Sequence, residues 1–387
     1  MIRVVILGST GSIGQSTLEV ISRHPDRFRV VALAANRSRS ALAAQVERFA
    51  PQVAVIAGHP PAEGLPDTPG TSWHAGREAL LSLADAADAD VVVNALVGAA
   101  GLEPTLRALR AGKRLALANK ESLVAGGPLV LEAAREGRAD LVPIDSEHSA
   151  ILQCLEGSDP SALQRIVLTA SGGPFRGWSA DDLRGVGPSD ALRHPTWNMG
   201  SKITVDSATL ANKALEVIEA HFLYGIPYDQ IDVVVHPQSI VHSFVEFVDG
   251  SVMAQLGFPT MELPIIYALS HPERVADEAL RTFDPVQASP LTFEDVDRDC
   301  FPLFELGVGS GRRGGTAPAV FNAANEVAVE AFLEERISFT GMAQVIEEAL
   351  DGVPLQPVTG VDDILEADRR ARALARDAVR SAPAVNQ

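Results

Sequence analysis

Short apolar, β-branched runs alternate with stretches of helical period from the N-terminus to about residue 150. Val4–Leu7, Arg29–Leu33, Val53–Ile56, Asp90–Asn94, Arg114–Leu117 and Leu141–Ile144 read as strands. Between them Ile13–Arg23, Ser40–Phe49, Gly76–Ala84, Leu102–Ala111 and Ser122–Glu136 read as helices. That alternation predicts α/β architecture with a parallel, doubly wound sheet, and the unbroken apolar strands suit burial on both faces. Beyond this point the rhythm changes. Arg165–Thr169 and Ile231–Val235 are strand candidates, and Ser243–Phe247 with Ser251–Leu256 predicts a hairpin turning at Asp249-Gly250. Gly172–Gly200, rich in Gly, Pro, Ser and Trp, has neither period, which predicts a functional lid or a disordered segment. A Pro-punctuated connection follows from about Ser270 to Asp297, and then Thr316–Glu335, Gly341–Leu350 and Asp362–Ser381 predict helices. The expected organisation is a Rossmann-like domain over 1–148, an α+β catalytic domain over 149–270 with a flexible flap at about 172–200, a linker over 271–297, and a C-terminal helical domain over 298–387.

Length agrees: 387 residues exceed what one simple core serves. Aromatics make up only 5%, so the cores must be built from Ala, Val, Leu and Ile. No run of eighteen apolar residues is available to span a membrane, and the short apolar N-terminus lacks the features of a signal peptide. Two cysteines without metal spacing fit a reducing, cytoplasmic location. A net charge of −18 argues against nucleic-acid and anionic-membrane partners. It would also repel an anionic small molecule at long range, so any phosphate site must rest on local donors.

Gly8-Ser9-Thr10-Gly11-Ser12-Ile13-Gly14 follows the first strand and opens the first helix, a G-x-x-G-x-x-G variant of the dinucleotide fingerprint. Glycines there let the backbone turn tightly and bring a pyrophosphate onto helix N-terminal N–H groups. Glycine turns also serve purely structural ends; here the placement favours a cofactor. After the second strand the chain reads Ala34-Ala35-Asn36-Arg37-Ser38-Arg39, with arginines where an NAD enzyme carries a carboxylate. That favours a 2′-phosphate, hence NADP, with Arg37 the better candidate and Arg39 a plausible solvated residue. Asn94–Gly98 and Ala118-Asn119-Lys120-Glu121-Ser122 lie at carboxyl ends of later strands, where open α/β sheets bind ligands. Capping would explain Asn119 or Glu121; Lys120 calls for an anion or a hydroxyl.

Asp145-Ser146-Glu147-His148 sets two carboxylates two apart at a strand end, side by side if the strand pitch persists. Such a pair repels unless a cation sits near, and oxygen ligands without cysteine favour Mg²⁺ or Mn²⁺ over zinc. Read as a helix from Ser207, Asn212, Lys213 and Glu216 share a face, supplying phosphate donors and a further oxygen ligand; an exposed ion pair is the plainer alternative. Ser171-Gly172-Gly173 is a second glycine turn suited to an anion or a hydroxyl.

Taken in order with His194-Pro195-Thr196-Trp197-Asn198-Met199-Gly200, Val205-Asp206-Ser207-Ala208-Thr209, His236-Pro237-Gln238-Ser239 and Asn322-Ala323-Ala324-Asn325-Glu326, these motifs resemble the 1-deoxy-D-xylulose 5-phosphate reductoisomerase family over essentially the whole chain. The resemblance implies metal-dependent isomerisation of a sugar phosphate coupled to NADPH reduction, in a homodimer. It implies that Thr10, Gly11, Ser12, Ile13, Asn119, Glu121 and, from the flap, Gly200 contact NADPH, beside the Asn36 and Arg37 loop. Relatives often carry Gly and Lys at those two positions, which leaves Asn36 the weaker carry-over. It further implies that Asp145, Glu147 and Glu216 hold the metal, and that Lys120, Ser146, Glu147, Ser171, His194, Trp197, Ser207, Asn212, Lys213 and Glu216 surround substrate. Lys120, Glu147, His194 and Glu216 are the catalytic candidates among them. Two rivals are another NADP-dependent oxidoreductase of a phosphorylated aldehyde and a non-catalytic NADP sensor. The first needs an activated cysteine, which neither Cys154 nor Cys300 resembles, and the second has no use for three carboxylates.

Overall fold

A computed structural model describes residues 1–58, 64–197, 199–280 and 283–382, so Asn198 of the expected flap lies outside the described residues. The chain divides into two compact units, each considered by itself.

The first unit comprises Met1–Ser122, Leu129–Ser149 and Thr260–Arg281. Its strands are β1 (Ile2–Leu7), β2 (Phe28–Ala35), β3 (Val53–Ile56), β4 (Ser72–Ala75), β5 (Val91–Asn94), β6 (Arg114–Leu117) and β7 (Leu141–Pro143). They form one parallel sheet in the order β4-β3-β2-β1-β5-β6-β7. The order reverses between β1 and β5, which makes the carboxyl ends of those two strands the switch point where such sheets bind ligands. Val4, Val5, Ile6 and Leu7 are wholly buried, as a strand covered on both faces requires. The predicted strands and helices are all present; β4 is an addition. Its Ser72-Trp73-His74-Ala75 is half exposed at the sheet edge and carries no apolar run to announce it. The helix Glu262–Ser270 also belongs here. Arg23 bonds Glu262 at 2.7 Å and Asp277 at 2.9 Å, tying that late segment to the helix Ser12–Arg23.

The second unit comprises Leu123–Pro128, Ala150–Pro259 and Thr282–Gln387. It holds a mixed sheet of β8 (Leu163–Ala170), β9 (Ile231–Val235), β10 (Val241–Phe247), β11 (Val252–Leu256) and β12 (Glu294–Asp295), in the order β11-β10-β8-β9-β12. The predicted hairpin is the antiparallel β10–β11 pair. Four helices, Pro302–Arg313, Ala317–Leu333, Gly341–Gly352 and Val361–Ser381, build the C-terminal part. The first of them was not anticipated, because its Leu-Gly-Val-Gly-Ser-Gly stretch dilutes the helical signal with poor helix formers. Two expectations need correction. Gly172–Gly200 is not structureless: a 3₁₀ turn, Asp182–Gly185, and a short helix, Pro188–Ala191, lie within it. Phe175, Leu183 and Ala191 are buried there, and Phe175 stacks edge-on against Phe339 at 5.0 Å. The irregular stretch therefore begins at about Leu192. The helix expected from Ser207 is two, Ser201–Ala208 and Ala211–Tyr224, broken where Leu210 takes a left-handed conformation at φ 60°. Among the described residues no helix is long and apolar enough to cross a membrane.

Candidate active site

At the switch point, Gly8 has a φ of +87°, and a Cβ there would meet the Ala95 carbonyl oxygen at 2.5 Å. A Cβ on Gly14 would meet the Gly8 oxygen at 2.4 Å, so this glycine lets the first helix lie against the turn. The remaining glycine, Gly11, is exposed at the helix N-terminus beside exposed Ser12, with Thr10 and Ile13 half-buried. Two glycines thus shape the turn and the third leaves it open, an arrangement that fits a pyrophosphate at the N-terminus of the first helix. Asn36 and Arg37 follow β2 and are both exposed, and Arg37 makes no ion pair among the described residues.

A buried polar network closes the other side of the switch point. Asn94, the last residue of β5, donates to the Gly101 carbonyl and to Thr105 Oγ1, each at 2.9 Å. Asn119 caps the helix Lys120–Gly137 by accepting from the Ser122 N–H at 3.1 Å. Its amide nitrogen donates to Leu96 O and Gly98 O, each at 3.0 Å, and to Glu121 Oε2 at 2.9 Å. The Asn119 side chain is therefore fully engaged with protein, and it shapes the loop a cofactor would touch. Gly101 is needed here, since a Cβ would fall 2.2 Å from Asn119 Oδ1. Nothing in the pattern of apolar positions pointed to Thr105 or Gly101; the strand-end position of Asn94 did mark that residue.

Lys120 is buried and its Nζ lies 2.5 Å from Asp145 Oδ2. Asp145 lies two residues past the end of β7 at Pro143, and the helix Ser146–Leu155 begins one residue later. Asp145 and Glu147 are therefore brought together by a strand-to-helix turn, not by the strand pitch that the spacing suggested. Ser146 Oγ donates to Glu147 Oε2, and both carboxylates are half-buried.

In the second unit, Ser171 opens the turn after β8, where Gly172 and Gly173 have φ of +84° and +67°. A Cβ on Gly173 would meet the Ser207 carbonyl oxygen at 2.7 Å, so this glycine lets the Ser171 turn lie on the end of the helix carrying Ser207. His194 Nε2 lies 3.0 Å from Ser171 Oγ. Its Nδ1 accepts from the backbone N–H groups of Thr196, at 3.1 Å, and Trp197, at 2.9 Å. Two donors aimed at Nδ1 place the ring proton on Nε2, so the neutral ring donates to Ser171. Burial lowers the His194 pKa in the same sense. Trp197 is half-buried and Gly200 is exposed.

On the helix Ala211–Tyr224, Asn212 Nδ2 and Lys213 Nζ bond Glu216 Oε1 and Oε2 respectively. The i+3 and i+4 spacing read from the sequence holds, but this is no exposed ion pair: Lys213 is 4% exposed and Glu216 1%. Burying two charges costs several kcal/mol each unless they are well paired, which a purely structural helix has little reason to bear. The donor sets around Asp145, Glu147 and Glu216 are oxygens and amines without cysteine. Carboxylate oxygens of this kind, with no thiolate among them, fit a hard divalent cation.

Three family models match the chain. The one described as 1-deoxy-D-xylulose 5-phosphate reductoisomerase matches residues 4–127, and two for C-terminal domains of that enzyme match 141–224 and 256–374. A relative of that name from Acaryochloris marina is 50% identical over 95% of this chain and 94% of its own. Another from Burkholderia multivorans is 50% identical over 99% of this chain and 98% of its own. Among solved structures, the reductoisomerase of Zymomonas mobilis in complex with NADPH is 41% identical, with a TM-score of 0.90 over 98% of this chain and 99% of its own. A reductoisomerase in complex with NADPH, fosmidomycin and magnesium is 40% identical, with a TM-score of 0.93 over 98% of both chains.

Proposed function

The chain belongs to the 1-deoxy-D-xylulose 5-phosphate reductoisomerase family, and from that premise we infer which of its residues carry the chemistry. The activity is metal-dependent skeletal isomerisation of 1-deoxy-D-xylulose 5-phosphate with NADPH reduction to 2-C-methyl-D-erythritol 4-phosphate, a step of the non-mevalonate isoprenoid pathway. The observation that carries our residue assignment is the nearly complete burial of Lys213 and Glu216 on one helical turn.

We assign the dinucleotide to residues 1–148, at Thr10, Gly11, Ser12, Ile13, Asn36, Arg37, Asn119 and Glu121, with Gly200 reaching it from the flap. Asp145, Glu147 and Glu216 would hold Mg²⁺ or Mn²⁺. When bound, the cation supplies Lewis-acid polarisation of substrate oxygens, and NADPH supplies the hydride. Arg37 offers a planar fork of donors to a 2′-phosphate. Ser171, Ser207, Asn212 and Lys213 hold the substrate phosphate, so that binding energy remote from the reacting carbons orients them. His194, held as the Nε2–H tautomer, donates to Ser171 Oγ and so frees the Ser171 hydroxyl proton to point at the phosphate. Lys120 and Ser146 are donors for the substrate hydroxyls beside Asp145 and Glu147. Trp197 excludes water when the flap closes. The C-terminal helices of 298–387 support the catalytic domain.

We further propose a homodimer working in the cytoplasm. An exposed apolar edge strand, with Val252 57% and Met253 48% exposed, and two cysteines that form no disulfide support these readings. Incubating the protein with 1-deoxy-D-xylulose 5-phosphate and NADPH tests the activity. Stoichiometric NADPH oxidation with formation of the branched polyol phosphate is expected, abolished by chelator and restored by Mg²⁺ or Mn²⁺. NADPH oxidation indifferent to chelator would refute it.

A further inference from the structure

Asp206 is 1% exposed, and it lies one residue before Ser207 on a helix that starts directly after Gly200. A carboxylate so buried destabilises the fold by several kcal/mol unless it is well paired. Its two oxygens are met differently: Oδ1 accepts a hydrogen bond, whereas Oδ2 has a charge contact and no hydrogen bond among the described residues. Lys202, one turn earlier on the same helix, places Nζ 2.7 Å from Oδ2. Asn325, 0% exposed on the helix Ala317–Leu333, donates from Nδ2 to Oδ1 at 2.8 Å. The backbone around Asp206 is fixed as well. Thr209 Oγ1 donates to the Asp206 carbonyl at 3.2 Å and accepts from the Ala211 N–H at 3.3 Å, bridging the break at Leu210.

The helix that carries Asn325 is itself held. Glu326 receives Asn322 Nδ2 at 3.1 Å and Arg372 at 2.6 Å, and Arg372 also bonds Asp368 at 2.7 Å. Two sets of polar contacts thus meet on one helix: Glu326 ties it to the helix Val361–Ser381, and Asn325, the neighbouring residue, ties it to Asp206 near the Ser207 end of the Ser201–Ala208 helix. The Asn322–Glu326 motif has no other evident task, since an apolar core would pack more cheaply without two buried amides.

We propose that Asp206 and Asn325 are positioning residues: they clamp the helix that presents Ser207 to the substrate phosphate, and they do so from the C-terminal helices. The clamp also fixes Lys202 at the foot of the flap. It rests on the assignment of Ser207 to the phosphate site. The Asn325 amide cannot be replaced by an apolar group without orphaning Oδ1, so specificity resides in the amide–carboxylate pair.

Three variants and a control test this, all in the full chain: Asn325→Ala, Asp206→Asn, the exchange Asp206→Asn with Asn325→Asp, and Ser207→Ala. Loss of a hydrogen bond to a charged group should lower kcat/KM for deoxyxylulose phosphate by about tenfold in Asn325→Ala, mainly through KM. KM for NADPH should stay within about twofold, as expected for a change that does not touch the dinucleotide. The exchange keeps an amide against a carboxylate with the polarity reversed, and should return kcat/KM to within about threefold of the wild type. If Asn325→Ala does not fold, Asn325→Ser is measured in its place. Variants that lose thermal stability but keep wild-type KM and kcat would overturn the proposal and leave a purely structural pair, as would an exchange that restores melting without restoring KM. An unaltered KM in Ser207→Ala would instead remove the Ser207 assignment on which the clamp depends.

Discussion

Where an enzyme of the NAD type carries a carboxylate after its second strand, this chain carries Arg37, exposed and without an ion-pair partner among the described residues. Arg37→Asp is expected to weaken NADPH by about 10- to 100-fold, the size of a charge-assisted hydrogen bond, and NADH by much less. Direct titration of both cofactors checks it, and equal losses would remove Arg37 from the 2′-phosphate site. His194 gives a pH prediction. Its folded pKa lies below the usual value because the ring is buried, so the unfolded chain takes up the proton first. Stability contributed by this ring is then complete above about pH 6.5 and is lost as pH falls through the lowered folded value. Protonation would also turn Nδ1 into a donor facing two backbone donors. Ring nitrogen shifts in NMR should show the Nε2–H tautomer at neutral pH, and an Nδ1–H tautomer would contradict the geometry. These residue-scale features were legible because they are chemical types at fixed spacings. For Asn119 the sequence offers a cofactor contact and a cap; the cap is present, and it leaves the cofactor contact as the assignment proposed for that loop. The partners of such an amide depend on what lies across the turn, which tertiary packing sets.

At the scale of elements, strong periodicity was readable and tertiary detail was not. The parallel strands announced themselves because they are short, apolar and β-branched. The β4 strand and the Pro302–Arg313 helix did not, since one is an edge and the other is diluted by glycine. The break at Leu210 was invisible because leucine is a good helix former and its left-handed conformation is imposed by packing at the junction of two helices. Breaking the buried network at β5 and β6 should matter more than its sequence suggests. Asn119→Ala removes a helix cap and leaves the buried Gly98 carbonyl and the half-buried Leu96 carbonyl without this donor, a loss of about 2 kcal/mol. Denaturant unfolding should report it, and an unchanged midpoint would show the cap to be dispensable. Phe175, Leu183 and Ala191 anchor most of the expected flap, so any closing movement that involves Trp197 should leave the segment up to Ala191 in place. With Trp73 and Trp178 replaced by Phe, Trp197 emission should shift when NADPH, Mg²⁺ and a phosphonate-hydroxamate inhibitor bind together. An unmoved spectrum, with wild-type kinetics for Trp197→Ala, would end the lid assignment.

For the whole molecule the central claim is that the carboxylates Asp145, Glu147 and Glu216 serve one divalent cation, with Lys120, Lys213 and Asn212 as their counter-groups. A net charge of −18 makes non-specific cation binding an expected background, so the decisive quantity is one strong site and its dependence on particular residues. Glu147 and Glu216 stand far apart in the chain and on different helices, which makes them independent probes of a shared ligand set. The measurement is Mn²⁺ binding to chelator-stripped protein, followed by electron paramagnetic resonance of free Mn²⁺, for the wild type, Glu147→Gln and Glu216→Gln. Each loss of a charged oxygen ligand should weaken the strong site by at least about tenfold, because an amide carbonyl offers a hard cation an oxygen without the negative charge. NADPH affinity should be untouched in both variants. The account predicts one strong site per chain that both substitutions weaken. A strong site that survives either substitution unchanged would contradict it.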